Sequence, residues 1–446
     1  MLFLLSLWVV YCSFSSYTMV MVIYCAGIGG IGLSAYAAYQ RSRGLVVTGS
    51  DRADSAVITD LRTQGIEVFL SQDGTHVPAD ADLFVFSEAV PETGPERVRA
   101  KELGIPSMSY FQALGEITKG SRLAAVCGTH GKSSVTAMAA KVLTEAGSDP
   151  SIIVGTKLRE LDGRNWSRGE SGLFLAEACE YRRSFLSLSP AIILLTNADG
   201  DHFDYYVSQE DYEQAFIEFI RKLPNDGTLI THLKDSQCAR IAGKCHANVI
   251  DVDALPFPTL ATPGLHMQKN GQLVLGLASV LGIPEQDALA SLKSYAGCWR
   301  RMEVRGTWGE NVMVIDDYGH HPTEIRATIE GIRGAYPERR LVVVFQPHTH
   351  DRTLKLYEGF TQAFRGAAVV IIPNIYDARR ERDQGTVDVP SFVRDIAKAS
   401  KVKAIDGGSL TGTEQLLRKE ILRKDDVLLC MGAGDVTELA GRMSGG

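Results

Sequence analysis

Leu123-Ala124-Ala125-Val126-Cys127-Gly128-Thr129-His130-Gly131-Lys132-Ser133-Ser134 decides the fold: an apolar run, a glycine turn and then an Ala-rich helical stretch. A strand that feeds a glycine loop at the start of a helix makes a phosphate site. Backbone N–H groups close around phosphate oxygens, the helix N-terminus adds partial positive charge, Lys132 can reach a terminal phosphate, and a serine hydroxyl can ligate Mg2+. The loop, Gly-x-x-Gly-Lys-Ser, is shorter than the usual phosphate-loop pattern, which has glycine where Val126 stands. A glycine turn without a ligand is the competing reading, and the rest of the chain decides between them.

The same alternation of apolar strand, special turn and helix occurs on both sides of this run. Upstream, Val20 to Ala26 predicts a strand, Gly27-Ile28-Gly29-Gly30-Ile31-Gly32 a turn and Leu33 to Arg43 a helix, with further strands at Leu45 to Thr48 and Leu83 to Phe86. The middle block continues through strands at Leu173 to Ala176 and Ala191 to Thr196. A third block opens near Arg301, with strands at Val312 to Ile315, Leu341 to Phe345, Val369 to Ile372 and Val427 to Cys430. Apolar strands alternating with helices imply parallel sheets with helices on their faces. The expected fold is therefore α/β in three domains, 20–120, 121–300 and 301–446, with linkers near 117–122 and 297–301. Ligands in such sheets gather beyond the carboxyl ends of strands, so the polar residues there are the candidates for chemistry.

Composition narrows the function classes. With 446 residues, 45% apolar and 22% charged, the chain has the make-up of a globular protein of two or three domains. A formal charge of −7 argues against a nucleic-acid binder that relies on bulk positive charge, so any phosphate has to be held locally. The eight cysteines include no Cys-x-x-Cys pair and read as buried thiols of a reducing cytoplasm. Met1 to Val10 is almost wholly apolar but has no Lys or Arg ahead of it and no small-residue cleavage site behind it. Residues 1–18 are therefore read as an over-extended start, with Met19 or Met21 as the natural beginning. No other stretch approaches the roughly 18 apolar residues of a membrane span, and no stable membrane association is expected.

Gly27-x-Gly29-x-x-Gly32 follows a strand and opens a helix, and Asp51 ends the next strand. That context predicts a nucleotide-diphosphate site, with the pyrophosphate on the helix N-terminus and Asp51 near a ribose hydroxyl. Glycines for tight strand–helix packing alone are the alternative. A diphosphate site and a triphosphate loop in consecutive domains suit an enzyme that takes a nucleotide-linked substrate together with ATP. They suit an oxidoreductase, which needs one dinucleotide, less well. Glu177-Ala178-Cys179-Glu180 ends a strand in the loop's own block, where a carboxylate can reach Mg2+ held by the loop serine; a solvated surface glutamate is the competing reading. Thr196-Asn197-Ala198-Asp199-Gly200-Asp201-His202-Phe203-Asp204 ends the next strand, with His202 a candidate metal ligand or phosphate contact. Asp316-Asp317-Tyr318-Gly319-His320-His321-Pro322 and Phe345-Gln346-Pro347-His348 end strands of the third block. Their histidines lack zinc-ligand spacing and suit substrate and ATP contacts. Arg300-Arg301, at the junction of blocks two and three, either meets a phosphate on domain closure or is a solvated basic pair.

Taken in order from Val20 to Val436, these motifs resemble those of the Mur ligases, the ATP-dependent amide-forming enzymes of peptidoglycan synthesis, and most of all its alanine-adding members. Asp316-Asp317-Tyr318-Gly319-His320-His321-Pro322-Thr323-Glu324 is the most specific run; Gly49-Ser50-Asp51, Ser184-Phe185-Leu186, Arg352-Thr353 and Gly432-Ala433-Gly434-Asp435 also correspond. The resemblance implies a Rossmann-like N-terminal domain for a UDP-sugar, a central P-loop ATPase domain and a Rossmann-like C-terminal domain for the amino acid. It implies UDP-N-acetylmuramate, ATP and L-alanine as substrates, Mg2+ as cofactor, no nucleic acid and a cytoplasmic location. By the same resemblance Gly27, Gly29, Gly30, Gly32 and Asp51 would meet the UDP-sugar. Gly128, Thr129, His130, Gly131, Lys132, Ser133, Ser134, Asn270, Arg301 and Asp317 would meet ATP, and Tyr318, His320, His348 and Arg352 the amino acid. Lys132, Glu177 and His202 would be the catalytic set, with Ser133 and Glu177 on one Mg2+ and His202 on a second. The implied chemistry is phosphorylation of the muramyl carboxylate by ATP, then attack of the alanine amine on the acyl phosphate in a site closed against water.

Three features depart from the family pattern. Gly264-Leu265-His266-Met267-Gln268-Lys269-Asn270 has Met267 where relatives often have asparagine, which leaves Asn270 as the adenine candidate. No lysine occurs between His202 and Ile220, where some relatives carry a carbamylated one, and Thr349 stands in place of a common arginine. Two readings compete with alanine addition: a sister ligase that joins a preformed peptide to the same nucleotide sugar, and a catalytically silent nucleotide-binding relative.

Overall fold

The computed structural model describes residues 20–202, 205–376 and 386–445; the readings made for residues 1–18, for Met19 and for Phe203 and Asp204 lie outside them. The described chain divides into two compact units, one ending at Tyr110 and one beginning at Phe111. In the first, β1 (Val22–Ala26), β2 (Val46–Ser50), β3 (Glu67–Phe69), β4 (Leu83–Phe86) and β5 (Ser107–Ser109) pair in parallel in the order β3-β2-β1-β4-β5. The strand order reverses between β1 and β4, and the Gly27 turn leaves β1 at that switch point, where such sheets bind ligands.

The second unit holds two sheets in succession. β6 (Arg122–Cys127), β7 (Ser151–Ile153), β8 (Trp166–Ser167), β9 (Leu173–Glu177), β10 (Ile192–Leu195), β11 (Thr228–Thr231) and β12 (Asn248–Asp251) are ordered β12-β11-β10-β6-β9-β7-β8, parallel but for the short edge strand β8. β13 (Glu303–Trp308), β14 (Val312–Asp317), β15 (Leu341–Phe345), β16 (Val369–Pro373), β17 (Lys403–Gly408) and β18 (Val427–Met431) are ordered β13-β14-β18-β15-β16-β17, with β13 antiparallel to β14. Residues of β10, β15, β16 and β18 are buried at every position. That double-faced burial is why their sequences read as unbroken apolar runs. The result is the three-domain α/β architecture that the alternation implies. No helix among the described residues is long and apolar enough to cross a membrane.

The helix Lys132–Glu145 is buried over most of its length within the second unit. From Ser133 to Leu143 every residue is buried, because Val135, Ala137, Met138, Ala139, Ala140, Val142 and Leu143 pack into one core with the helices Leu265–Val280 and Glu285–Lys293. A helix buried all round is fixed on every side, so its N-terminus presents the loop rigidly.

Candidate active site

The loop between β6 and the helix Lys132–Glu145 is pinned by the end of β10. The Thr196 hydroxyl donates to the His130 carbonyl at 2.6 Å, the Asn197 amide donates to the same carbonyl at 3.1 Å, and the His130 N–H donates to Asn197 Oδ1 at 3.0 Å. Gly128 has φ 134°, and a Cβ there would lie 2.0 Å from Thr196 Oγ1, so only glycine lets the loop approach this strand end. Gly131 caps the helix in the left-handed conformation at φ 86°, with Asn270 Oδ1 only 2.8 Å from where its Cβ would stand. Asn270 and the loop are thus neighbours.

Lys132 is folded back onto its own loop. Its Nζ donates to the carbonyls of Gly128 at 2.5 Å and Thr129 at 3.1 Å and lies 2.9 Å from Glu180 Oε2. Burial alone would lower its pKa, but Glu180 and other nearby acidic groups raise it well above the ordinary lysine value. Glu180, 1% exposed, also lies 3.5 Å from His202 Nε2. Desolvation opposes ionisation of Glu180, yet Lys132 and His202 hold its pKa below the ordinary value. The structure therefore brings Lys132 and His202 together through Glu180, a residue the sequence reading quoted without giving it a role. Glu177 sits differently: its carboxylate accepts from the Gly155 N–H at 3.0 Å and interacts with Ser133, and desolvation raises its pKa. Ser133 and Glu177 are adjacent, whereas His202 neighbours Glu180.

The C-terminal sheet supplies the opposite wall. Glu324 belongs to a capping box at the start of the helix Pro322–Ala335, accepting the N–H groups of His320 at 2.9 Å and His321 at 3.1 Å. Its other oxygen faces His130 Nδ1 at 3.3 Å and Arg301 at 3.8 Å, so one carboxylate links the phosphate loop to the C-terminal sheet. Asp317 accepts from the N–H groups of Met302 and Gly319, both at 2.8 Å, and burial pushes its pKa up to about 6 against the pull of Arg301. Tyr318 lies under both Arg300 and Arg301, at 4.9 and 4.8 Å from the ring centroid. Burial and Arg352 push the His320 pKa down to about 3, so its imidazole is neutral at pH 7. His348 packs beside His320 and on the Tyr376 ring, and Arg352 reaches across to Asp201 at 2.9 Å.

Between these walls lies a cavity of about 280 Å3 lined by His130, Gly131, Ser134, Asn197, Asn270, Arg301, Asp317 and Glu324, with Met267 in its wall. Six of the residues expected to meet ATP therefore line this cavity: His130, Gly131 and Ser134 from the loop and the helix it opens, and Asn270, Arg301 and Asp317 from three other elements. In the N-terminal unit the Gly29 N–H donates to Asp51 Oδ2 at 2.8 Å and the Arg52 N–H to Asp51 Oδ1 at 2.7 Å. Asp51 thus ties the Gly27–Gly32 turn to the end of β2. Asn197, Glu180 and Glu324 are the site residues given no role in the sequence reading. Their signal was position: each stands at a strand end or helix start within a run already singled out.

Models of three family domains match the chain: the Mur ligase family catalytic domain over residues 22–122, the Mur ligase middle domain over 126–275 and the Mur ligase glutamate ligase domain over 300–434. A UDP-N-acetylmuramate--L-alanine ligase of Clostridium kluyveri is 36% identical, the alignment covering 94% of this chain and 96% of the relative. Among solved structures, the UDP-N-acetylmuramate-alanine ligase of Thermotoga maritima is 26% identical with a TM-score of 0.79, covering 95% of this chain and 98% of that one. A murein peptide ligase of Psychrobacter arcticus shares the fold at 21% identity and a TM-score of 0.71, covering 95% and 98%.

Proposed function

The chain belongs to the Mur ligase family, and from that premise we propose that it is an ATP-dependent ligase joining L-alanine to UDP-N-acetylmuramate through an acyl phosphate. The observation that carries this reading is the Lys132 loop facing Arg301, Asp317 and Glu324 across one cavity, with a relative named for this reaction matching 94% of the chain. The UDP-sugar is assigned to residues 20–120, ATP to 121–300 and the amino acid to 301–446, in a cytoplasmic enzyme.

A carboxylate does not condense with an amine in water at a useful rate. The muramyl carboxylate first attacks the γ-phosphorus of ATP, ADP leaves, and the amine of L-alanine then attacks the acyl carbon and expels phosphate. Lys132 answers the charge on the transferred group: Glu180 keeps its ammonium ionised in a buried place until phosphate oxygens replace the carbonyls of Gly128 and Thr129 as its acceptors. Backbone N–H groups at the start of the helix Lys132–Glu145 add to that field. Ser133, Glu177 and Glu180 offer the hard oxygen donors that Mg2+ prefers, and the Ser133–Glu177 contact fits a shared ion; His202 would serve a second one beside Glu180. Bound there, Mg2+ would neutralise phosphate charge and orient the γ-phosphoryl group. The Glu324 link between His130 and the C-terminal sheet helps to exclude water from a hydrolysable acyl phosphate.

ADP release tests the reading. With UDP-N-acetylmuramate and ATP present, L-alanine should trigger release and a preformed tripeptide should not; release with tripeptide alone would select the sister activity instead.

A further inference from the structure

Arg352, on the helix His350–Lys355, lies across from Asp201 in the loop after β10. A single nitrogen makes the contact: Nη2 donates to Asp201 Oδ2 at 2.9 Å and to Oδ1 at 3.2 Å. Arg352 Nε is buried and has no hydrogen-bond partner. A guanidinium holds a carboxylate best through two parallel N–H···O bonds, so this pair leaves the better side of the fork unused. Such an orphaned buried donor marks a place where another acceptor is expected.

The surroundings allow one carboxylate on Arg352 at a time. His320 beside it is neutral, and Asp201 is kept ionised chiefly by Arg352 and His202 against desolvation. A second carboxylate would put two negative charges on one cation unless Asp201 turned away from Arg352. We propose that Asp201 is a built-in stand-in for the amino acid's carboxylate, occupying Arg352 in the ligand-free enzyme and yielding it when the amino acid arrives. Asp201 is then a positioning residue that sets amino-acid affinity by competing for Arg352. This inference rests on the ligase reading and on Arg352 as the carboxylate site.

The test compares L-alanine with L-alaninamide, which has the same amine but no carboxylate, in ADP release at saturating ATP and UDP-N-acetylmuramate. Asp201→Asn should lower KM for L-alanine about five- to tenfold, the scale of one partly exposed ion pair, and shift that for L-alaninamide less than about twofold. Asp201→Glu, which restores a competing carboxylate, should return KM toward the wild-type value. A KM for L-alanine that rises or stays level in Asp201→Asn, or an equal shift for both amines, overturns the proposal. Should Asp201→Asn not fold, a structure of the wild type with L-alanine and ADP decides: a separated Asp201–Arg352 pair supports the exchange and an intact one overturns it. Wild-type turnover with L-alanine upholds the ligase reading whichever way these results fall.

Discussion

Replacing Glu180 with glutamine should do two separable things. Glu180 is 1% exposed and its Lys132 partner 17%, so the pair is shielded from solvent. Removing one charge of a buried pair typically costs about 3–5 kcal/mol, because the remaining ion stays desolvated. Glutamine keeps the shape and one acceptor oxygen, and Lys132 retains the carbonyls of Gly128 and Thr129, so the expected loss lies near the lower end, about 3 kcal/mol. Urea unfolding at pH 7.5, followed by tryptophan fluorescence, measures it. The pH dependence supplies the sign: a carboxyl whose folded pKa is depressed contributes stability above its unfolded value, here 4.5, and loses it on acidification. The gap between wild type and Glu180→Gln should therefore narrow as pH falls below about 4.5. Glu177→Gln should behave in the opposite sense. Its folded pKa is raised, so ionisation is a burden on the fold at neutral pH and the variant should be as stable as wild type or more so. Both variants should lose turnover by about 10²–10³-fold. A Glu180→Gln protein within about 1 kcal/mol of wild type, or a Glu177→Gln protein more destabilised than it, would refute Glu180 as the partner that holds Lys132.

Lys132→Ala should reduce substrate-dependent ADP release by about 10³-fold while leaving UDP-N-acetylmuramate binding intact by calorimetry. Gly128→Ala must move the loop, since its Cβ would meet Thr196 Oγ1 at 2.0 Å, and thermal melting with and without ATP should show a less stable protein that ATP no longer stabilises. Burial holds the pKa values of His266 and His321 down at about 4 and that of His320 at about 3, against an ordinary 6.5. Because the unfolded chain binds those protons first, stability should fall as pH drops from about 6.5 toward 4, and His320→Gln should flatten that slope in denaturant titrations.

The strand ends were legible in the sequence because β6, β10, β15 and β18 are buried on both faces and so spell unbroken apolar runs. Short strands such as β3, β8 and β12 were not: they span two to four residues at sheet margins, and exposed positions in β12 erase any apolar signal. The first strand starts at Val22 rather than Val20, since Val20 and Met21 are exposed at its entrance. Of the site, the loop, Asn270, Arg301 and Asp317 could be located from their runs. That Glu180 is the carboxylate beside Lys132 was not legible, because it depends on the path of the backbone. After Glu180 the chain turns through Arg182 and Arg183 at φ 52° and 57°, left-handed positions with no glycine to announce them, and Glu180 is carried onto Lys132. Glu324 lies in a run the sequence singles out, but its capping-box role and the reach of its second oxygen to His130, a contact between elements far apart in the chain, come from the fold.

The central claim is that ATP is spent on the muramyl carboxylate itself. UDP-N-acetylmuramate carrying 18O in both oxygens of that carboxylate, incubated with the enzyme, ATP and L-alanine, reports it through mass spectrometry of the released phosphate. The account predicts one 18O in each phosphate, formed in step with the alanyl amide product, because the acyl oxygen leaves with the phosphoryl group. Unlabelled phosphate released alongside the amide would contradict it.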